Sequence, residues 1–272
     1  MLAVRTLTAA TLLALFITAV LFLDRFYLAL LAGAVVASGA HEWALLVRMP
    51  ASRAIAYAVA CTLSYGAIAA AAWPLAASGT AMLAILVAAM VFWGLAVPAW
   101  LARGMQASPP WLLATAGIAV LVPAGLAMIA LPSWLLLAIL GLVWISDTAA
   151  YLVGRAFGRH KLAPSVSPGK TIEGAAGAIV ASIAYAVILA AAMPAIGAHV
   201  KGVAWVPYAA AAVMLCVCGI LGDLFESLAK RHAGVKDSGK LLPGHGGVLD
   251  RIDSACAALP VGALLGAWAG TT

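Results

Sequence analysis

Between two apolar stretches, Gly222 to Ser254 gathers Asp223, Glu226, Lys230, Arg231, Lys236, Asp237, Lys240, Asp250, Arg251 and Asp253, in a chain of which only 9% is Asp, Glu, Lys or Arg. Ionisable groups at the edge of a bilayer are costly, so a cluster of this kind points to function. On a helix, Asp223, Glu226, Ser227 and Lys230 share one face, and Asp250, Asp253 and Ser254 repeat that spacing on the next helix. Two acidic faces can converge on a metal ion. The connecting Pro243-Gly244-His245-Gly246-Gly247 lets backbone amides approach an anion, and Lys236 and Lys240 add positive charge. Carboxylates beside a basic, glycine-rich loop suit a metal-bound nucleoside triphosphate. A basic loop snorkelling at headgroups would explain the lysines and arginines, but not carboxylates at helical spacing on both flanks.

These residues resemble the signature of the phosphatidate cytidylyltransferases, or CDP-diacylglycerol synthases. The family pattern runs Ser-x-apolar-Lys-Arg, four residues, Lys-Asp-x-small, then Pro-Gly-His-Gly-Gly and apolar-x-Asp-Arg-apolar-Asp. It is met here by Ser227, Lys230, Arg231, Lys236, Asp237, Gly239, Pro243, His245, Gly246, Gly247, Asp250, Arg251 and Asp253, with Ala229 where a bulkier apolar residue is usual. The resemblance implies transfer of a cytidylyl group from CTP to phosphatidate, giving CDP-diacylglycerol and pyrophosphate. It also implies Mg2+ and, in part, K+ as cofactors. The expected magnesium ligands are Asp223 and Asp250, with Asp253 as a third; Lys230 and Arg231 hold phosphates or the leaving pyrophosphate. Ser227, Lys236, Asp237, His245, Gly246, Gly247 and Arg251 belong to the expected nucleotide site.

A second charged stretch, Ser146 to Gly174, places Asp147 and Tyr151 one helical turn apart and brings Ser165, Ser167, Gly169, Lys170 and Thr171 into a Pro/Gly-broken turn at a helix start. Hydroxyls, a lysine and free amides there suit a phosphate, which makes Ser167 and Lys170 nucleotide-site candidates. The plain alternative is helix capping by Thr171, with Glu173 favouring the dipole. The P-loop glycine spacing is missing. The same family carries a matching Asp…Tyr…Gly…Gly…Ser-Pro-x-Lys-Thr…Glu-Gly stretch ahead of its signature.

The elements that must position these groups lie in a membrane. Hydrophobic residues make up 66% of the 272, with a mean hydropathy of +1.12, against roughly 45–50% in soluble domains. Runs long enough to span a bilayer occur at about 6–23, 26–47, 54–73, 81–101, 111–131, 133–153, 172–193, 203–225 and 248–268. The expected fold is therefore an all-α polytopic integral membrane protein of about nine transmembrane helices. With the N-terminus in the cytoplasm, thirteen of the fifteen Lys and Arg residues fall on the cytoplasmic side, leaving only Arg25 and Lys201 outside. The catalytic face is expected to meet the cytoplasm from a bacterial inner membrane, where CTP is available.

Seven of the nine acidic residues lie from position 147 onward, which divides the chain into N-terminal membrane helices over 1–132 and a catalytic membrane region over 133–272, with cytoplasmic loops 154–171 and 226–247. His41 and Glu42 are the exception in the first region, and Glu42 is expected to pair with a nearby Arg or His. The four cysteines lie in apolar runs as packing residues. The net charge of +6 is spread over membrane-edge loops, favouring CTP, phosphatidate and membrane lipid as partners over nucleic acid and leaving a homodimer open. A CTP-dependent polyprenol or phytol kinase would share this setting but release CDP, and a secondary transporter would use Glu42, Asp147 and Asp223 as ion-relay groups.

Overall fold

Apolar, Ala- and Leu-rich segments surrounded by lipid must satisfy every backbone amide internally, and a helix does so within one segment. The computed structural model describes residues 2–73, 77, 79–197, 200–241, 244 and 246–270, and these are mainly helical. Helices α1 (Leu2–Phe22), α2 (Arg25–Leu46) and α3 (Ala51–Ala71) precede a long helix formed by α4 (Thr80–Val91), a wide π turn over Phe92–Ala96 and α5 (Val97–Arg103). The wide turn lies just ahead of Pro98, whose missing amide interrupts regular helical bonding. Then come α6 (Pro110–Ala130), α7 (Ser133–Phe157), α8 (Ile172–Ala192), the single turn α9 (Pro194–Gly197), α10 (Trp205–Ala233) and α11 (Leu249–Trp268). Prolines 50, 109 and 132 stand immediately before α3, α6 and α7, where extended backbone feeds a helix start.

Seven helical segments among the described residues are long and apolar enough to cross a membrane: α2, α3, Thr80–Arg103, α6, α7, α8 and α10. They coincide with seven of the nine expected runs. In α1 the apolar part is Leu13–Phe22, and α11 carries Asp250, Arg251 and Asp253 in its first turns. The run ending at Phe225 proves to be part of a longer helix: α10 continues to Ala233 and closes on Gly234, whose left-handed backbone (φ 77°) donates to Arg231 while Val235 donates to Lys230. Hydropathy ends where the charges begin, but helical hydrogen bonding continues past them.

Two further features aim the charged residues. The indole of Trp43 (α2), Phe92 and Trp93 of the long helix and Trp100 (α5) surround Phe225, with ring centroids 5.5–5.8 Å away. This cluster fixes α10 two residues from Asp223. Farther round, α10 and α11 touch backbone to backbone: a Cβ on Gly222 would run into the carbonyl of Asp253 and the Cα of Ser254. That contact sets Asp223 beside Asp253, as small residues at membrane helix crossings do. Gly222→Val is therefore expected to lower the thermal unfolding midpoint of the detergent-solubilised protein, with overpacking costing about 1–3 kcal/mol. An unchanged midpoint would show that the two helices can separate freely.

Helices α7 and α8 form an antiparallel pair joined by a two-stranded ribbon, β1 (Lys161–Ala163) and β2 (Ser167–Thr171), with Lys161 opposite Thr171 and Ala163 opposite Ser167. The expected turn before α8 is thus partly a strand, the one departure from an all-helical chain among the described residues. Thr171 caps α8 by accepting from Gly174, and Glu173 accepts from the amides of Arg159 and His160 and pairs with the His160 ring at 2.7 Å. Capping accounts for Thr171, while Glu173 ties the start of α8 to the residues that follow α7. All four cysteines are free and buried.

Candidate active site

A polar cavity of about 390 Å³ opens where α7, the ribbon, the start of α8 and α10 meet. Asp147, Tyr151 and Arg155 line it from successive turns of α7, Ser167 and Lys170 from β2, and Asp223 from α10. Lys170 Nζ lies 2.7 Å from Asp223 Oδ2, joining the two charged stretches of the sequence, and Ser227 Oγ donates to Asp223 Oδ1 at 3.3 Å. Asp147 lies within the electrostatic field of both Asp223 and Lys170, and Asp253 within that of Asp223 and Asp147. Two carboxylates from two helices, Asp223 and Asp147, therefore share the charge of Lys170, with Asp253 next to Asp223 on the α11 side. Arg155 reaches the Tyr151 hydroxyl at 3.4 Å.

Beside this cavity lies a second, more tightly bonded group. Lys230 Nζ donates to Asp250 Oδ1 at 2.7 Å and to Glu226, one turn back on its own helix. Asp250 Oδ2 accepts from the amides of Ser238 and Gly247, both at 2.9 Å, which folds the glycine loop back onto the first turn of α11. Gly246 has φ 81°, and a Cβ there would meet Asp250 Oδ2, so the turn needs glycine for both conformation and space. Both oxygens of Asp250 are occupied by protein donors.

Glu42 departs from expectation. Instead of pairing with an Arg or His, its buried carboxylate accepts from backbone: Oε1 from Val248 N–H and Oε2 from Leu249 N–H, each at 2.9 Å. Ser238 Oγ lies 2.9 Å from Glu42 Oε2 and 3.1 Å from Asp250 Oδ2, its single proton able to serve either. Helix amides at a buried N-terminus need an acceptor, and here an acid from α2 supplies it. The partners lie 196 to 207 residues along the chain, so no spacing pattern in the sequence could reveal them.

The structure thus gathers Ser167, Lys170, Asp223 and Ser227 at the cavity, with Asp253 behind Gly222 and Lys230 and Asp250 alongside. Arg231 Nε donates to the Val166 carbonyl at 3.1 Å, tying α10 to the ribbon. Lys236 and Asp237 are exposed on the loop, Gly247 is buried and Arg251 is exposed on α11. Pro243 and His245 lie outside the described residues. Arg155 was not among the expected site residues, although its position one turn beyond Tyr151 on the Asp147 face is a readable signal. A separate apolar cavity of about 480 Å³, lined by Trp134, Leu142, Tyr185, Tyr208, Leu215 and Trp268, lies among the other ends of α7, α8, α10 and α11.

Among the described residues, no three His, Cys, Asp or Glu side chains converge as a ready-made metal cage. Magnesium does not need one, since it is commonly held by one or two carboxylates with water and substrate phosphates completing its shell. Asp223 meets that requirement: it is part-exposed in the cavity, and one of its oxygens already faces a positive charge. Asp253 stands beside it on α11, whereas Asp250 is committed to Lys230 and the loop.

The chain matches the model of the cytidylyltransferase family over residues 3–268. It is 39% identical to the phosphatidate cytidylyltransferase of Pseudomonas aeruginosa over 274 aligned residues, covering 97% of each chain. It is 47% identical to the phosphatidate cytidylyltransferase of Haemophilus influenzae over 130 residues, 47% of this chain and 43% of that one.

Proposed function

The chain belongs to the cytidylyltransferase family, and we propose that it transfers the cytidylyl group of CTP to phosphatidate in phospholipid synthesis. The ion pair of Lys170 with Asp223 carries this reading, because it joins the two charged stretches across one polar cavity at the end of a membrane bundle. An oxygen of the phosphatidate phosphate attacks the α-phosphorus of CTP. The bond to the β-phosphate breaks, its electron pair leaves on pyrophosphate, and CDP-diacylglycerol remains in the membrane.

A phosphate monoester is already anionic at neutral pH, so no strong protein base is required. The difficulty is bringing two polyanions together, which makes positioning and charge neutralisation the main sources of rate. In this reading Ser167 and Lys170 bind CTP phosphates from the ribbon. Arg231, Lys236 and Arg251 add positive charge, and His245, Gly246 and Gly247 complete the nucleotide loop with Ser227 and Asp237. Asp223 and Asp253 would hold Mg2+, which when bound neutralises phosphate charge and orients the α-phosphorus; K+ belongs to the same proposal. Asp250 and Lys230 fix the loop that presents these groups.

The test is direct. Purified protein given labelled CTP and phosphatidate should release pyrophosphate and form a labelled lipid; release of CDP would identify a kinase instead. The proposal extends to topology: nine crossings, a cytoplasmic N-terminus and both charged stretches facing the cytoplasm. Ser165→Cys and Lys240→Cys, at exposed positions, should resist an impermeant thiol reagent in intact cells and react in inverted vesicles, while the four buried cysteines stay silent. Labelling in intact cells would reverse the orientation.

A further inference from the structure

Glu42 is nearly inaccessible, at 5% exposure, so it cannot itself touch CTP or phosphatidate. Its bonds nevertheless end on the loop assigned to the nucleotide. Glu42 joins Ser238 to the first turn of α11, Ser238 reaches Asp250, Asp250 holds Lys230 and the Gly247 amide, and Lys230 returns to Glu226. Glycines at 239 and 247 leave the room this arrangement needs, since a Cβ at either would collide with the Glu42 carboxylate.

We propose that Glu42 is a positioning residue for the reaction: a buried carboxylate from the N-terminal helices that fixes Ser238 and the 247–249 turn in the arrangement that receives CTP. The proposal rests on the reading of that loop as part of the nucleotide site.

The donor set explains why the residue must be an acid. Oε1 and Oε2 both accept from backbone N–H groups, and a carboxylate has acceptor capacity on both oxygens. Glutamine has the same shape but turns one of those oxygens into an amide donor facing an N–H donor. Aspartate is one methylene shorter and cannot reach both amides without moving α2. A residue that only packed α2 against α11 would tolerate glutamine, because shape is kept; one that accepts from both amides would not.

Three measurements separate these roles. Glu42→Gln is expected to raise the KM for CTP by about tenfold, the loss of roughly one buried hydrogen bond to a charged group, with the KM for phosphatidate unchanged. Limited trypsin digestion should cut faster at Lys236 and Lys240 than in wild type, with no new cleavage elsewhere. Ser238→Ala, which removes the shared hydroxyl and leaves the carboxylate in place, should move both readouts the same way by less.

If Glu42→Gln keeps the wild-type KM for CTP and the wild-type digestion pattern, or loses turnover only in proportion to its folded fraction, the positioning role is overturned. If Glu42→Gln does not purify folded, Ser238→Ala decides: a raised KM for CTP supports the proposal and an unchanged one overturns it. Wild-type protein lacking CTP-dependent pyrophosphate release would defeat the assigned function, and digestion alone would then judge whether Glu42 orders the loop.

Discussion

Asp223→Asn is expected to fold normally and lose at least about 100-fold in turnover, since the change keeps the shape and removes the charge that pairs with Lys170 and that, in the function proposed above, holds the cation. Asp253→Asn should behave alike, because Gly222 brings the backbones of α10 and α11 together at this point. If both act through one ion, the double variant will be little worse than either single one, whereas independent roles would add. Phosphatidate-dependent pyrophosphate release across a magnesium titration is the readout, and both single variants should need more magnesium. Asp250→Asn should differ in kind. It leaves one oxygen for either the part-buried Lys230 or the Ser238 and Gly247 amides and sets an NH2 donor against the other, so its main effect falls on stability and CTP affinity. Near-normal turnover by Asp223→Asn at unchanged magnesium demand would remove that residue from the cation site.

The distinction between Asp250 and Asp253 marks where sequence reading ends. Helical spacing places both on the face of α11 toward α10, and the glycine loop before them is legible as an anion-approach turn. Which carboxylate the protein itself consumes depends on where the loop folds back, and that is set by Gly246, by the Ser238 and Gly247 amides and by Glu42 from the far end of the chain. Long apolar runs gave the helices and nearly their ends, because in lipid hydropathy and helicity nearly coincide. They failed at α10, where the helix continues through Lys230 and Arg231 to a glycine cap, and at the ribbon, where Ser167–Thr171 pairs as a strand with a partner too short to show periodicity. Glu42 was visible as an anomaly, a buried acid in an apolar helix. Its partners were not visible, because backbone amides carry no sequence signature.

Lys170 yields an expectation of opposite signs on two ligands. Its ammonium lies against Asp223 and within the field of Asp147, the two carboxylates that line the cavity. In the nucleotide complex proposed above, the same group must also meet CTP phosphates, so it exchanges a carboxylate for a phosphate as the cation takes its place at Asp223. Lys170→Ala removes a charge-assisted bond to the nucleotide and should weaken CTP binding by roughly 1.5–3 kcal/mol, about 10- to 150-fold. It also removes the internal competitor from Asp223 and leaves the acidic group more negative, so the magnesium concentration for half-maximal turnover should fall, measured at saturating CTP. A residue that merely braced the ribbon would move both affinities in the same direction or neither. Lys170→Arg keeps the charge but not the compact ammonium, and should retain more CTP affinity than alanine without restoring turnover in full. Unchanged CTP affinity in Lys170→Ala would confine the ribbon to structure and leave the phosphates to Arg231, Lys236 and the glycine loop.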